Sequence, residues 1–385
     1  MKRFAAAAAL LFAFTPVAHA ELYLTFGGDM NFNSSRQKPL PHAAVKNGRQ
    51  FSYESLFAGI SPFLDGEFNF ANIETVVSDR TDLPDSGGKF VFASHTNGMR
   101  AAVDQGLNLF SLANNHTGDH GLTGMKETIR NMESLSRELP IQHHGIGRNR
   151  AEALQPTLFD VKTESGVYRV ALLSITGVSN SFTQAGPDRP GTLYLRDAND
   201  FADSMRAMAN ARADYKILSV HWGRETFVNL DAGQRALFHR ALSEGGIDLI
   251  LGHHPHVVRP VEKVGHKVIF YSLGNYLMLG AANINGNSAA QSYGLLGKLH
   301  LNWDPSLRRL VAQAAEAIPL YDMHFSPKPY DPLGGKARID LLNQLSGRET
   351  GTNALTFRAN ERGFGQACLG ANPGARAEKI CRAGR

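Results

Sequence analysis

Cysteine is almost missing from this chain, and that scarcity removes several kinds of chemistry. Only Cys368 and Cys381 are present, both near the C-terminus and far in sequence from every histidine cluster, so no thiolate ligand is expected at the main site. In an oxidising compartment a disulfide between them is the expectation, and two unpaired thiols in a disordered end are the alternative. A strong charge of one sign is missing as well. The formal net charge of +5 over 385 residues falls to +3 without the N-terminal pair Lys2 and Arg3. With no basic stripe and no interleaved aromatics, nucleic acid is not an expected partner. Beyond Ala20 no segment is apolar enough to span a bilayer. Gly145-Ile146-Gly147 is a lone Gly-x-Gly without the Lys-Ser/Thr end of a phosphate-cradling loop, and no Gly-x-Ser-x-Gly elbow occurs. Internal repeats are absent too.

What is present begins with a leader. Lys2 and Arg3 precede the apolar run Ala5 to Phe14, and Ala18-His19-Ala20 offers a small-x-small cleavage site. Residues 1–20 read as a secretory signal peptide cut after Ala20, which places the mature chain in the periplasm or outside the cell. A retained membrane anchor is the alternative, against which the shortness of the apolar run argues. A hydrophobic content of 43% with 19% charged residues describes a globular protein rather than a disordered one.

Short apolar runs alternate with helical spacing, which points to an α/β architecture. Strands are expected at Leu22–Phe26, Phe68–Ile73, Leu107–Ala113, Ile217–Val220, Ile247–Leu251 and Val268–Tyr271. A hairpin is expected at 157–175 and late strands at 295–301 and 310–318. Helices are expected at 121–138 and 232–244. Residues 31–55 and 280–297 read as loops. Periodicity fades near residue 320, so the expected division is a main domain at 21–320 and a small C-terminal extension at 321–385, stapled by the cysteine pair.

Several of these apolar runs end in a residue able to bind metal. Asp29 follows the first and Glu74 the second. Asn115 and His116 follow the third, His221 a fourth, and His253, His254 and His256 a fifth. In α/β sheets ligands bind beyond the carboxyl ends of strands, where separate segments converge on one cleft. Imidazoles, an amide oxygen and carboxylates suit Mn²⁺, Zn²⁺ or Fe, one ion or two. A pair of such ions about 3.5–4 Å apart clamps the attacking and leaving oxygens of a hydrolytic displacement. Taken singly, each residue has a plainer reading. Asp29 and Asn115 fit turn positions, Glu74 a solvated carboxylate, and His221 beside Trp222 a packed histidine. The triplet fits a His-rich surface loop. The shared position after separate apolar runs is what argues for a site.

The ordered motifs Gly28-Asp29-Met30, Asn72-Ile73-Glu74, Ala113-Asn114-Asn115-His116 with Asp119 and Gly121, His221-Trp222-Gly223 with Glu225, Gly252-His253-His254-Pro255-His256 and Ser272-Leu273-Gly274-Asn275-Tyr276 resemble those of the CapA family. That family is linked to poly-γ-glutamate capsule synthesis or export and belongs to the calcineurin-like metallophosphatase superfamily. The likeness covers about residues 22–278. It implies a four-layer αββα sandwich of two mixed sheets. It also implies a metal set of Asp29, Glu74, Asn115, His221, His254 and His256, with His116 as the catalytic proton donor. Asn31, Asn72, Asp119, Glu225, His253 and Asn275 then fall behind the ligands or toward substrate. Two departures stand out. Asn31 occupies the place where metallophosphatases usually have a first-motif histidine, and Glu74 the place of a bridging aspartate.

Two functions are therefore expected of the exported chain. One is a metal-dependent hydrolase acting on a phosphoester or a γ-glutamyl amide in a capsule or envelope polymer. The other is a non-catalytic accessory for synthesis, retention or export of an anionic polymer such as poly-γ-glutamate, working with capsule machinery.

Overall fold

The computed structural model describes residues 21–164, 166–178, 183–279 and 292–382. The expected leader at 1–20 and much of the expected loop at 280–297 lie outside these residues. From Gly294 onward that stretch is strand.

Six strands position the site: β1 (Leu22–Asn31), β2 (Phe68–Ile73), β3 (Leu109–Ser111), β4 (Tyr215–His221), β5 (Leu249–His253) and β6 (Asn275–Met278). Among the described residues, the larger sheet has ten strands. It runs from Arg358–Ala359 through Gly365–Cys368, Arg309–Tyr321 and Gly294–Asp304 to β1, β2, β3 and Gln142–His144, with β6 also paired to β1 and Lys328–Pro329 to Arg309–Tyr321. The smaller sheet has six, in the order Val261–Val264, Lys267–Phe270, β5, β4, Gly166–Thr176, Thr157–Thr163. Both sheets are mixed. β1 is parallel to β2 and β6 but antiparallel to Gly294–Asp304, and β4 is parallel to β5.

Burial explains why these segments read as unbroken apolar runs. A parallel strand covered on both faces has no polar side to show, and every residue of β2 and β4 is buried. Leu24, Phe26 and Phe70 of the large sheet meet Leu172, Ile217 and Phe270 of the small one in a single cluster. There the Phe26 and Phe270 rings stand edge to face, 4.8 Å apart. The helices Thr96–Asp104 and Gly121–Glu138 cover the outer face of the large sheet through Met99, Met132 and Leu135. Ala198–Asn210 and Gln234–Glu244 cover the small one through Phe201, Met205, Phe238 and Leu242. The layers are therefore helix, sheet, sheet, helix, the α/β sandwich that the family resemblance implies.

The departures from expectation have specific causes. Residues 31–55 are not one loop. They hold the hairpin Ala44–Lys46/Arg49–Phe51, turned at Asn47-Gly48 with both residues at positive φ, as a two-residue Asn-Gly connection requires. The helix Ala198–Asn210 starts on Asp197, whose carboxylate accepts from the N–H groups of Asn199 and Asp200. The helix Thr96–Asp104 has no such signal, because His95 caps it with a ring nitrogen that accepts from Asn97 N. Where periodicity fades after residue 320, the helix Pro332–Thr350 buries Ile339, Leu342 and Leu345. Gly334 and Gly335 near its start obscure the pattern, and Gly335 is small because the backbone of Gly363 lies against it. Cys368 and Cys381 are joined by a disulfide that ties the helix Ala375–Arg382 to the strand Gly365–Cys368.

The turn that aims β1 at the site is a bulge. Its register against β2 slips between Phe26 and Asp29, across Gly27-Gly28, and such a bulge redirects the side chain that follows. Asp29 N donates to Gly274 O at 3.1 Å. A Cβ on Gly28 would lie 1.8 Å from that same oxygen. Gly28→Ala is therefore expected to lower unfolding stability by about 3 kcal/mol through overpacking against backbone that cannot move aside. Urea denaturation checks this, and an unchanged midpoint would contradict it.

Candidate metal centre

The site forms where the carboxyl ends of both sheets converge. Asp29 sits near the end of β1 and Glu74 follows β2 by one residue. His221 ends β4, His253 ends β5, and His254 and His256 lie in the turn beyond. Asp29, Glu74, His221 and His253 are fully buried, and His254 and His256 nearly so.

Asp29 ties the two sheets together. Its Oδ1 accepts from Asn72 Nδ2 at 2.7 Å within the large sheet. Its Oδ2 accepts from the backbone N–H of His254 at 3.0 Å, across to the small sheet. The second bond holds an unusual turn. His254 and His256 have φ of 89° and 56°, a left-handed backbone that costs of order 1–3 kcal/mol per residue and persists only where the surroundings impose it. That strain turns both imidazoles inward, and His256 Nδ1 is fixed by Asn275 Oδ1 at 2.7 Å.

Glu74 is the unusual member. Neither of its carboxyl oxygens takes part in a hydrogen bond, and both are buried. Its Oε1 lies 3.3 Å from His221 Nε2 and 3.9 Å from the Nε2 of both His116 and His256. Asn115 Oδ1 contacts His221 Nε2 at 2.6 Å. Glu74 thus belongs to two donor groups, one with Asn115 and His221, the other with His254 and His256, whose ligand atoms lie within 4.8 Å of one another. A buried carboxylate without partners is costly, and burial accordingly pushes the Glu74 pKa up, although His256 and His116 pull it down. Nitrogen and oxygen donors aimed at one another around an orphaned carboxylate fit a divalent cation.

The histidines split by environment. Burial lowers His221 to about 3 and His253 to about 4, and holds His254 well below its usual value, so these three are neutral imidazoles. Burial also pulls on His256, but Glu74 and Asp29 outweigh it and raise the pKa. For His116 burial is likewise outweighed, here by the hydrogen bond and charge of Asp119 and then by Glu74, and the net shift is upward. Asn72 has a further role. Its Nδ2 lies 3.1 Å from His221 Nδ1, which places the neutral ring's proton on Nε2, toward Asn115.

The remaining residues named from sequence separate clearly. Asp119 Oδ2 accepts from His116 Nδ1 at 2.8 Å and from Phe92 N at 2.6 Å, so it orients the imidazole. Glu225 is about half exposed and lies 3.9 Å from His254 Nε2. His253 faces Asp29 Oδ1 at 3.5 Å, with its ring beside Phe70, and lines neither cleft described below. Asn31 is buried opposite Met278 of β6. One positioning residue escaped the sequence reading. Asn114, not Asn115, is the turn residue: its side chain accepts from His116 N and donates to Ile73 O at 2.8 Å. The Asn114-x-x-Thr117 spacing of a capping box was the available signal.

Two clefts open onto the centre. One, of about 850 Å³, is lined by Asn115, His116, Lys89, Phe90, Arg189 and Glu225 among others. The other, of about 650 Å³, is lined by His254, Trp222, Arg196, Arg224 and again Glu225.

Residues 23–279 match the family model described as "Bacterial capsule synthesis protein PGA_cap". The chain is 31% identical over 225 residues to the "PGA biosynthesis protein CapA" of Bacillus subtilis (strain 168), covering 58% of this chain and 57% of that protein. It is 25% identical over 358 residues to the "Capsule biosynthesis protein CapA" of Bacillus anthracis, covering 91% of this chain and 79% of that one. A solved structure, the calcineurin-like phosphoesterase YfkN from Bacillus subtilis, aligns over 80% of this chain and 91% of its own at 12% identity with a TM-score of 0.39.

The orphaned carboxyl of Glu74 makes a trade between stability and binding testable. Without added metal, Glu74→Gln is expected to melt at or above the temperature of the wild type, because it removes a buried carboxylate whose oxygens accept no hydrogen bond. The wild type should gain about 2.7 kcal/mol at a Mn²⁺ or Zn²⁺ concentration a hundred times Kd, and the variant should gain nothing. Thermal denaturation with and without metal checks both halves. A metal-free variant that melts well below the wild type would contradict the first.

Proposed function

The chain belongs to the PGA_cap family of bacterial capsule synthesis proteins, and from that premise we propose that it is an exported, metal-dependent hydrolase acting on a capsule or envelope polymer of the poly-γ-glutamate type. The observation that carries this reading is Glu74, buried, with neither oxygen hydrogen-bonded, and central to two groups of nitrogen and oxygen donors. Asp29, Glu74, Asn115, His221, His254 and His256 would hold one or two divalent ions, Mn²⁺, Zn²⁺ or Fe. Such ions supply Lewis acidity to an ester or amide oxygen and acidify a water molecule.

The chain's own residues supply the rest. His116 is the proton donor to the leaving group. Its Nδ1 is held by Asp119, its ring is packed 4.6 Å from that of Phe92, and its raised pKa favours the protonated form. Asn114 fixes the backbone of Asn115 and His116 relative to Glu74 through its bond to Ile73 O. Asp29 acts chiefly by fixing the left-handed turn that aims His254 and His256. The Cys368–Cys381 disulfide supports an oxidising compartment, in keeping with the leader read at residues 1–20.

A second reading, a non-catalytic accessory that holds polymer through a bound cation, draws on a specific observation. Both Asp29 oxygens already accept hydrogen bonds, from Asn72 and His254, and Asn31 stands in place of the usual histidine. A centre with one firmly held ion would bind carboxylates without assembling a hydrolytic pair.

Turnover separates the two. Purified protein loaded with Mn²⁺ or Zn²⁺ is expected to cleave phosphodiester or γ-glutamyl substrates. His116→Gln should lower kcat by about 10²–10⁴-fold with metal content unchanged, and Asp119→Asn by about tenfold or more. Activity no greater than that of a His254→Ala control would remove the hydrolase and leave the accessory.

A further inference from the structure

The two clefts that flank the centre share one wall residue, Glu225, and each has a pair of cations. Lys89 and Arg189 line the cleft that contains His116, and Arg196 and Arg224 line the cleft that contains His254. All four are exposed. None of the four is in an ion pair among the described residues. Arg189 and Arg224 are held by neutral groups. Arg189 Nη2 donates to Gln184 O at 2.8 Å, and the Arg224 guanidinium lies 3.3 Å over the Phe227 ring. Their positions are thereby constrained while their charge remains available.

The acids in the same clefts do not cancel that charge. Asp119 is engaged by His116 and by Phe92 N. Asp231 accepts from Arg259 Nη1 at 2.8 Å, from a guanidinium that is itself fully buried, and from Arg224 N at 3.0 Å. Glu225 alone remains, at the junction. Each cleft thus carries two cations, and the two share the one remaining anion, Glu225.

We propose that the clefts form one continuous groove for an extended polycarboxylate chain bound at an internal position, with carboxylates on Lys89 and Arg189 at one side, on Arg196 and Arg224 at the other, and a neutral backbone linkage placed over Glu225. Glu225 sets the register, since its own charge rejects a substrate carboxylate from the junction while the flanking cations attract one on each side. A terminal residue or a short acid fills one cleft only and forgoes half of the attraction. The groove thus selects chain interior over chain end. This inference rests on the polymer reading given above, and it concerns binding mode rather than turnover.

Fluorescence anisotropy tests it, with dye-labelled γ-linked glutamate oligomers from the dimer upward and a phosphodiester polymer of matched charge. The full chain is used as wild type, as Lys89→Gln/Arg189→Gln, as Arg196→Gln/Arg224→Gln, as Glu225→Gln, and as Lys336→Gln, a remote exposed cation that controls for bulk charge. Affinity should rise with oligomer length until both clefts are filled. Each double variant should lose about tenfold for long oligomers and should no longer gain from lengthening, while Lys336→Gln matches the wild type. Glu225→Gln should bind short acids more tightly and so narrow the preference for long ones. Dimer affinity equal to that of the longest oligomer, an effect confined to one double variant, or tighter binding of the phosphodiester polymer would overturn the groove. Failure of the wild type to bind any glutamate oligomer would remove the polymer reading itself. Length-dependent binding without cleavage would leave the groove standing and the hydrolase fallen.

Discussion

The Asp29 carboxylate is the interaction on which the rest of the centre depends. It is fully buried, and its two oxygens reach in opposite directions, to Asn72 in the large sheet and to the N–H of His254 beyond the small one. Two sheets packed face to face through apolar side chains have no directional bond to fix how their ends meet, because hydrophobic contact is not directional. A buried carboxylate that accepts from both does fix it. The left-handed turn at His254 and His256, the inward direction of their rings, and hence the distance of each to Glu74 all follow from that link. The Gly27-Gly28 bulge is part of the same constraint, since only residues without a Cβ let β1 come close enough to Gly274 O to deliver Asp29 to that point.

Glu74 is the opposite case. Asp29 is stabilised by what it accepts, whereas Glu74 is surrounded by imidazoles and an amide, and neither of its oxygens is hydrogen-bonded. Folded proteins rarely leave a buried carboxyl in that state unless something else meets it. The stability lost at Glu74 is offset elsewhere in the sandwich, which is the usual position of a functional group in a protein that sits only slightly above its threshold of stability. Around this interior each of two clefts carries a pair of exposed cations, and the clefts share Glu225.

Much of this was legible in the sequence, and the legible parts share a physical reason. β2 and β4 are buried on both faces, so they read as unbroken apolar runs, and a residue able to bind metal at the end of each run is a signal of position that needs no knowledge of the fold. The helix at 121–138 was legible because only one of its faces is covered. What escaped either follows no local rule or depends on contacts distant in sequence. Thr96–Asp104 is capped by a histidine ring, which no capping rule anticipates. Gly335 in the late helix is explained by Gly363 and by nothing near it in the chain. Lys89, Arg189, Arg196 and Arg224 are ordinary surface cations until folding brings them to the walls of two adjoining clefts. Other misses were avoidable, since Asn47-Gly48, Asp197 before its helix, and Asn114 ahead of Thr117 all carry local signals.

Anomalous X-ray scattering from crystals of the full chain soaked in Mn²⁺ or Zn²⁺ tests the central claim, that Glu74 is the shared donor around which the centre is built. The predicted result is a peak about 2.0–2.2 Å from a Glu74 oxygen with an imidazole nitrogen of His256 or His221 at a similar distance, lost in Glu74→Gln crystals. A metal peak that leaves Glu74 uncoordinated, or one that survives unchanged in Glu74→Gln, would contradict it.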